Sequence, residues 1–135
     1  MASVLAELFH TLVGAIALPD FIVPMPLHPV RLRERGFNQA MEIARSVSRR
    51  CGVALLPEAC KRVKDTPSQA GLPWKEREKN IRNAFICEAN LTGKRIAILD
   101  DVMTTGATLN ELAKAIRQRG ASEITGWIIA RTLHQ

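Results

Sequence analysis

The sequence predicts an α/β domain with a mainly parallel central sheet flanked by helices. Ile96–Leu99 is a short unbroken apolar run, which is typical of a strand covered on both faces, as in a parallel sheet. The segment after it is amphipathic, with Leu109, Leu112, Ala113 and Ile116 on one helical face. Strand, tight loop and helix in this order indicate one repeating unit of such a sheet.

Similar patterns predict the remaining elements. A first strand runs from Phe21 into the proline-punctuated Pro24–Pro26, and a helix is expected from about Asn38 to Arg50, ended by Gly52. Short strands within 53–63, a polar loop over 64–71, one or two helical turns within 73–79, and strands at 84–87 and from 123 to about 133 complete the chain. The expected core is Ile22, Val23, Ile43, Val47, Ile96, Ile98, Leu99, Leu112, Ile116, Ile124, Trp127 and Ile129.

Length and composition favour one domain in a reducing setting. The chain has 135 residues, which we expect to form a packing helix over 1–18 and a ligand-binding core over 19–135. Three cysteines without C-x-x-C spacing predict neither a disulfide framework nor a zinc site. The apolar N-terminus lacks a basic leader and is interrupted by Glu7 and His10, so we expect no signal peptide or membrane span and a cytoplasmic location.

The strongest functional signal follows the apolar run at Ile96–Leu99. Asp100 and Asp101 come next, and then a small, hydroxyl-rich segment, Met103, Thr104, Thr105, Gly106, Ala107 and Thr108. Thr108 and Glu111 have capping-box spacing, which predicts a helix start there. A helix N-terminus beyond a parallel strand binds anions, and the acids suit sugar hydroxyls or Mg²⁺, so a ribose 5-phosphate fits both halves. Neither a P-loop nor a G-x-G-x-x-G motif is present.

This segment resembles the phosphoribosyl diphosphate (PRPP) signature of the type I phosphoribosyltransferases. The resemblance covers the whole motif: a hydrophobic run, Asp-Asp, three residues and Thr-Gly-x-Thr. It implies a three-layer domain in which Asp100 and Asp101 are the catalytic pair, holding the ribose hydroxyls directly or through Mg²⁺. Residues 103–108 would bind the 5-phosphate.

A second segment is rich in cations. Arg31, Arg33 and Arg35 alternate, so in an extended loop after the first strand they would lie on one side, at the same sheet edge as Asp100. The stretch resembles the Pro-x-Pro-Leu-His-x-x-Arg-x-Arg-x-Arg-Gly-Phe-Asn-Gln motif of the ComF family, which implies pyrophosphate binding by these arginines. His28 is expected to be structural.

The middle of the chain extends the ComF resemblance, which implies that Lys64 and Arg77 also meet pyrophosphate from a closing loop. The matching residues are Arg62, Lys64, Thr66, Gln69, Leu72, Arg77, Asn80, Ala84 and Phe85. ComF proteins commonly carry an N-terminal four-cysteine zinc ribbon, which this sequence lacks, so we expect a shortened relative or a piece of a longer protein. In purine-salvage relatives an acid often stands where Thr104 does, which argues against a hypoxanthine or guanine transferase.

Three functions remain open. The first is transfer of the phosphoribosyl group from PRPP to a nitrogen acceptor, with Mg²⁺ as cofactor. The second is sensing of PRPP or a nucleotide without turnover, and the third is a competence role with single-stranded DNA, which the net charge of +6 permits. No aromatic residues are interleaved with the cations to stack bases, which weakens the third function. A homodimer is compatible with all three.

Overall fold

The computed structural model describes residues 18–64, 74–103 and 106–131. Within these ranges the elements run in the following order: β1 (Phe21–Pro24), α1 (Pro29–Arg35), α2 (Gln39–Cys51), β2 (Ala54–Leu55), β3 (Cys60–Arg62), α3 (Trp74–Ile81), β4 (Phe85–Cys87), β5 (Arg95–Met103), α4 (Ala107–Arg117) and β6 (Glu123–Arg131). The predicted α/β order is confirmed, including the last strand up to Arg131. Residues 1–17 of the helix predicted over 1–18, and residues 65–71 of the polar loop predicted over 64–71, lie outside the described ranges.

The main sheet has four parallel strands in the order β2-β1-β5-β6. β1 lies beside β5 in a register that pairs Phe21 with Ile96 and Pro24 with Leu99. The connection after β1 leads to β2 on one side, and the connection after β5 leads to β6 on the other. The carboxyl ends of β1 and β5 therefore form a switch point, which is where open α/β sheets bind their ligands.

Helices α2 and α4 cover this sheet. α2 packs on β1 and β5, and α4 packs on β5 and β6. Of the twelve expected core residues all are buried except Ile124 and Ile129, which are partly buried against the same cluster. Full burial of a Leu or Ile side chain contributes about 1.5–3 kcal/mol, so this cluster is the main source of stability. No helix within the described ranges is long and apolar enough to cross a bilayer.

A separate antiparallel pair, β3 and β4, stands outside the main sheet. Both strands were expected from the sequence, but their pairing was not. Residues 63–84 connect β3 to β4. The two paired strands therefore form the base of this connecting segment, which includes the predicted polar loop and α3. β4 and α3 pack against α4, which attaches this base to the main domain.

The signature strand is longer than expected. The apolar run predicts a strand that ends at Leu99, whereas β5 continues through Asp100 and Asp101 to Met103. The reason is β6, which pairs with β5 as far as Met103↔Arg131, while β1 stops pairing at Leu99. The two acids thus lie where β5 retains one neighbouring strand and has lost the other.

The arginine segment is helical, so the prediction of an extended loop is wrong. Pro29 occupies the first turn of α1, and the Nδ1 atom of His28 accepts a hydrogen bond from the backbone N–H of Val30 at 3.2 Å. Gly36 ends the helix with φ 82°, a left-handed conformation that favours glycine. Because α1 has 3.6 residues per turn, Arg31 and Arg35 share a face and Arg33 lies on the opposite one.

The predicted capping box at the start of α4 is also wrong. The N-cap is Gly106, in a left-handed conformation with φ 84°, and no side chain caps the helix. Thr108 lies within the first turn. The carboxylate of Glu111 instead accepts a hydrogen bond from the backbone N–H of Asn83 at 3.0 Å, because α4 packs beside the turn that follows α3.

Asn38 joins the arginine segment to the sheet. Its Oδ1 atom accepts from the N–H of Met41 at 3.3 Å and caps α2, while its Nδ2 atom donates to the carbonyl of Met25 at 3.0 Å. Met25 in turn donates its N–H to the carbonyl of Leu99 at 2.8 Å. One side chain therefore fixes both ends of the chain segment that carries α1.

We expect Asn38→Ala to lower the free energy of unfolding by about 2 kcal/mol, about half from the lost cap and half from the lost bond to Met25. Asn38→Ser keeps a capping oxygen and should cost about 1 kcal/mol. Urea denaturation measures both values. Asn110→Ala, at an exposed position of α4, is the control and should change stability by less than about 0.5 kcal/mol. Equal costs for the Ala and Ser variants would contradict the double role.

Candidate functional site

The predicted acids, the arginines of α1 and the start of α4 lie at the carboxyl edge of the main sheet, whereas Lys64 and Arg77 lie in the segment between β3 and β4. The two acids lie in the last part of β5, the arginines lie in α1 after β1, and Gly106 starts α4 after β5. These segments come from the two strands on either side of the switch point. Because β1 and β5 are direct neighbours, their outgoing segments must face a common crevice.

The acid pair is half-buried at this edge. The backbone N–H of Asp101 donates to Oδ1 of Asp100 at 2.9 Å, which orients the Asp100 carboxylate. Asp100 pairs with Ile128 of β6 on one side, whereas β1 has already turned away on the other. The carboxylates are thus held by a regular strand at a position that opens toward the outgoing segment of β1.

Residues 103–108 are distributed over three kinds of structure. Met103 ends β5, Thr104 and Thr105 lie outside the described residues, and Gly106 is the N-cap of α4. Ala107 and Thr108 form the first turn of that helix. The N-cap of this eleven-residue helix makes no side-chain hydrogen bond, and the positive end of the helix dipole lies at this edge of the sheet, after β5. This arrangement favours an anion at the start of α4.

The arginine helix adds positive charge to the same edge. Arg31 is partly buried and forms a surface ion pair with Glu34, with Nη1 to Oε2 at 3.4 Å, whereas Arg33 and Arg35 are exposed. Arg33 and Arg35 also lie in the last turn of α1, where cations interact favourably with the helix dipole. No residue of α1 is buried, so the helix is held mainly by its caps and by Asn38.

Lys64 and Arg77 belong to the segment between β3 and β4. The Nζ atom of Lys64 donates to the backbone carbonyl of Arg82 at 2.8 Å, so this lysine links the two ends of the segment. Arg77 lies in the middle of α3, which places its backbone within the same segment. The sequence provided no signal for the bond of Lys64, because its partner is a carbonyl group 18 positions away.

Three residues of these segments make contacts that the sequence analysis did not predict. His28 caps α1, and the following proline, which favours the first helical position, was an available signal. Asn38 was predicted only as the start of a helix, although its Nδ2 atom also donates a hydrogen bond to the carbonyl of Met25, the residue after β1. Glu111 bonds to Asn83, which adopts φ 58° at the turn after α3, and nothing in the sequence indicated this long-range contact.

The donor set at the acid pair fits Mg²⁺. Within the described ranges no group of three or more His, Cys, Asp or Glu side chains could hold a metal ion by itself. Mg²⁺ usually binds through one or two carboxylates together with substrate oxygens and water. Asp100 and Asp101 supply such carboxylates, so they are suited to a magnesium ion that arrives with a phosphorylated ligand.

Comparison with solved structures establishes the fold. The chain is similar to purine phosphoribosyltransferase from Pyrococcus horikoshii, with TM-score 0.60 and 18% identity over 96% of this chain and 80% of that one. It is likewise similar to the glutamine PRPP amidotransferase of B. subtilis, with TM-score 0.61 and 20% identity over 95% of this chain and 26% of that one. At these identities the likeness concerns the fold alone.

Sequence comparison identifies relatives at higher identity. The chain is 41% identical to Competence protein F of Haemophilus influenzae over 119 residues, and 37% identical to the DNA utilization protein YhgH of Escherichia coli over 118 residues. The matches cover 86% and 87% of this chain and 52% of each relative, so the chain spans about half the length of both proteins. The sequence family described as the phosphoribosyl transferase domain matches residues 32–134. The chain therefore belongs to the phosphoribosyl transferase domain family and, within it, to the ComF proteins.

Proposed function

We propose that this domain binds PRPP at the switch point and transfers its phosphoribosyl group to a nitrogen acceptor with release of pyrophosphate. The observation that carries the proposal is the meeting of a half-buried acid pair, an uncapped helix start and an arginine helix at neighbouring strand ends. PRPP has a matching distribution of groups, with a phosphate and a pyrophosphate at opposite ends of a hydroxyl-bearing sugar.

Each part of the ligand has a proposed partner. The 5-phosphate would bind at residues 103–108, where α4 begins and the positive end of its dipole lies. Asp100 and Asp101 would accept hydrogen bonds from the ribose hydroxyls. The pyrophosphate would bind at α1 through guanidinium groups, which are suited to phosphate oxygens, with Lys64 and Arg77 contributing from the β3–β4 segment.

The proposed reaction is a substitution at the anomeric carbon. The bond from this carbon to pyrophosphate breaks, a nitrogen of the acceptor bonds to the carbon, and pyrophosphate leaves with the bonding electron pair. The arginines of α1 would stabilise the charge that develops on the leaving group. Because Thr104 is a poor general base, the acceptor would lose its proton to water or to a group of its own.

Magnesium is the proposed cofactor, held at Asp100 and Asp101 together with ligand oxygens. A bound Mg²⁺ neutralises charge on the departing diphosphate. The half-buried position of the acids at the end of β5 supports this role, because the surrounding strand restricts where their oxygens can go.

Asp100→Asn combined with Asp101→Asn should weaken PRPP binding about 100-fold in the presence of Mg²⁺, because two charged hydrogen-bond acceptors are lost. Asparagine retains an Oδ1 acceptor for the N–H of residue 101, so the strand is expected to remain intact. Isothermal titration calorimetry with PRPP and MgCl2 measures the change.

The matched control removes two carboxylates elsewhere. Glu88 and Glu123 are exposed, Glu123 starts β6 at the opposite edge of the sheet, and the carbonyl of Glu88 is bonded by Arg119 beyond the far end of α4. Glu88→Gln with Glu123→Gln should leave binding within about twofold, since distant exposed charges are screened by salt. The absence of PRPP binding by the parent protein would overturn the proposed function.

Turnover distinguishes a transferase from a sensor. We expect pyrophosphate release from PRPP and Mg²⁺ when a suitable nitrogen acceptor is added, measured across a panel of nucleobases and primary amines. The same panel with the Asp100→Asn and Asp101→Asn double variant gives the background rate. Tight PRPP binding without release on any acceptor would instead favour a module that senses PRPP or a nucleotide.

A DNA-handling role is the second candidate. It is favoured by the names of the two relatives, a competence protein and a DNA utilization protein, together with the net charge of +6. Single-stranded DNA would contact exposed cations through its phosphates, and this binding would weaken steeply with salt. Arg33 and Arg35, the exposed arginines of α1, lie at the same edge as the proposed PRPP site.

Because α1 is a helix, variants on its two faces can distinguish PRPP binding from binding of single-stranded DNA. Arg31→Ala with Arg35→Ala removes one face and should weaken PRPP binding at least tenfold, whereas Arg33→Ala, on the opposite face, should change it less than threefold. For single-stranded DNA, each lost phosphate contact should lower the slope of log K against log salt by about 0.7, whichever face it comes from. Titrations of PRPP and of an oligonucleotide at several salt concentrations test this. Equal effects of both variants on PRPP would contradict a one-sided pyrophosphate site.

A further inference from the structure

Two of the three cysteines face each other across the β3–β4 pair. The antiparallel register places Cys60 opposite Cys87, Lys61 opposite Ile86 and Arg62 opposite Phe85. Cys60 and Cys87 are 4% and 7% exposed and belong to the hydrophobic core, whereas Cys51 ends α2 and is only partly buried. The chain positions are 27 residues apart, so the sequence did not indicate this contact.

The hydrogen bonds of the ladder define which kind of pair the cysteines form. The N–H of Val63 donates to the carbonyl of Ala84 at 2.7 Å, and the N–H of Glu88 donates to the carbonyl of Ala59 at 3.0 Å. Hydrogen-bonded and non-hydrogen-bonded pairs alternate along an antiparallel ladder. The two bonds make Val63–Ala84 and Ala59–Glu88 hydrogen-bonded pairs. Cys60–Cys87 is next to Ala59–Glu88 along the ladder, so it is a non-hydrogen-bonded pair.

That position has the geometry a disulfide needs. Cα atoms of non-hydrogen-bonded pairs are about 4.5 Å apart, and disulfides span Cα separations of about 4.4–6.8 Å. Both cysteines are free and buried, and Cys87 is close enough to contribute to the raised pKa of the Cys60 thiol. The two sulfur atoms can therefore bond without a change in strand register.

We propose that Cys60 and Cys87 are a reversible dithiol–disulfide pair that locks the base of the β3–β4 segment. In the oxidised state one S–S bond replaces two S–H bonds. The oxidant is a low-molecular-weight disulfide such as oxidised glutathione: its own S–S bond breaks, and it accepts two electrons and the two thiol protons to give two molecules of reduced glutathione.

The bond would close a ring that contains residues 61–86. This ring includes α3, Lys64 and Arg82, whose hydrogen bond already holds the two ends of the segment together. A cross-link restricts the unfolded chain more than the folded one, so it stabilises the folded hairpin. The inference rests on the ladder geometry and is independent of what the switch point binds.

Burial determines how fast the pair reacts. Desolvation, with a smaller contribution from the neighbouring Cys87, raises the pKa of the Cys60 thiol far above its usual value. The thiolate is the attacking species, so at neutral pH little of it forms. Because less of the Cys60 thiol is ionised at neutral pH, the oxidation rate should increase as the pH is raised.

The test uses the full chain with Cys51→Ser, so that only the facing pair remains. After equilibration with excess oxidised glutathione at pH 8.5, we expect a mass loss of two hydrogen atoms and a peptide that joins Cys60 to Cys87. Thermal unfolding should shift upward by about 5 °C or more, and dithiothreitol should restore the original midpoint.

The matched controls are Cys51→Ser with Cys87→Ala and Cys51→Ser with Cys60→Ala, which keep a small apolar side chain at the core position. Neither should form the linked peptide or gain thermal stability on oxidation. A parent chain that forms only mixed disulfides with glutathione, or that keeps two free thiols while the urea-unfolded chain oxidises under the same conditions, would overturn the proposal.

Discussion

The parallel pairing of β1 with β5 is the constraint on which the rest of the structure depends. Parallel neighbours cannot be joined by a tight turn, so each chain end must leave through a longer crossover. The crossovers of β1 and β5 depart in opposite directions along the sheet, and this opens a crevice between their carboxyl ends. The acid pair lies in the last part of β5, and the start of α4 and the arginine helix lie in the segments that depart from β5 and β1.

The pairing also explains why the acid pair is half-buried and still accessible. β6 continues to hold β5 beyond the point where β1 ends, so regular strand geometry carries the acids past the edge of the core. On the β1 side, the last hydrogen bond to β5 is the one from the N–H of Met25 to the carbonyl of Leu99. Pairing with β6 thus holds the end of β5 in place, whereas the earlier end of β1 leaves room for a ligand beside the acids.

Local patterns in the sequence predicted most of the elements, whereas contacts between distant residues could not be predicted. The Ile96–Leu99 run and the apolar faces of α2 and α4 depend on periodicity, which is visible in any short window. The arginine segment carries competing local signals: the alternating arginines favour an extended chain, whereas Pro29, Gly36 and the good helix formers between them favour the observed helix. Glu111 contacts Asn83, Lys64 contacts Arg82, and Cys60 faces Cys87 only because the chain folds back, so no local pattern could show them.

The bond between Lys64 and the carbonyl of Arg82 has a consequence for how this family domain can vary in length. With the two ends of the segment held at 2.8 Å and supported by the β3–β4 ladder, the entropy of loop closure depends only weakly on the number of residues between them. Doubling that number would cost about 0.6 kcal/mol. Changes in length that leave α3 packed against α4 are therefore expected to cost little free energy, and the parallel sheet need not change.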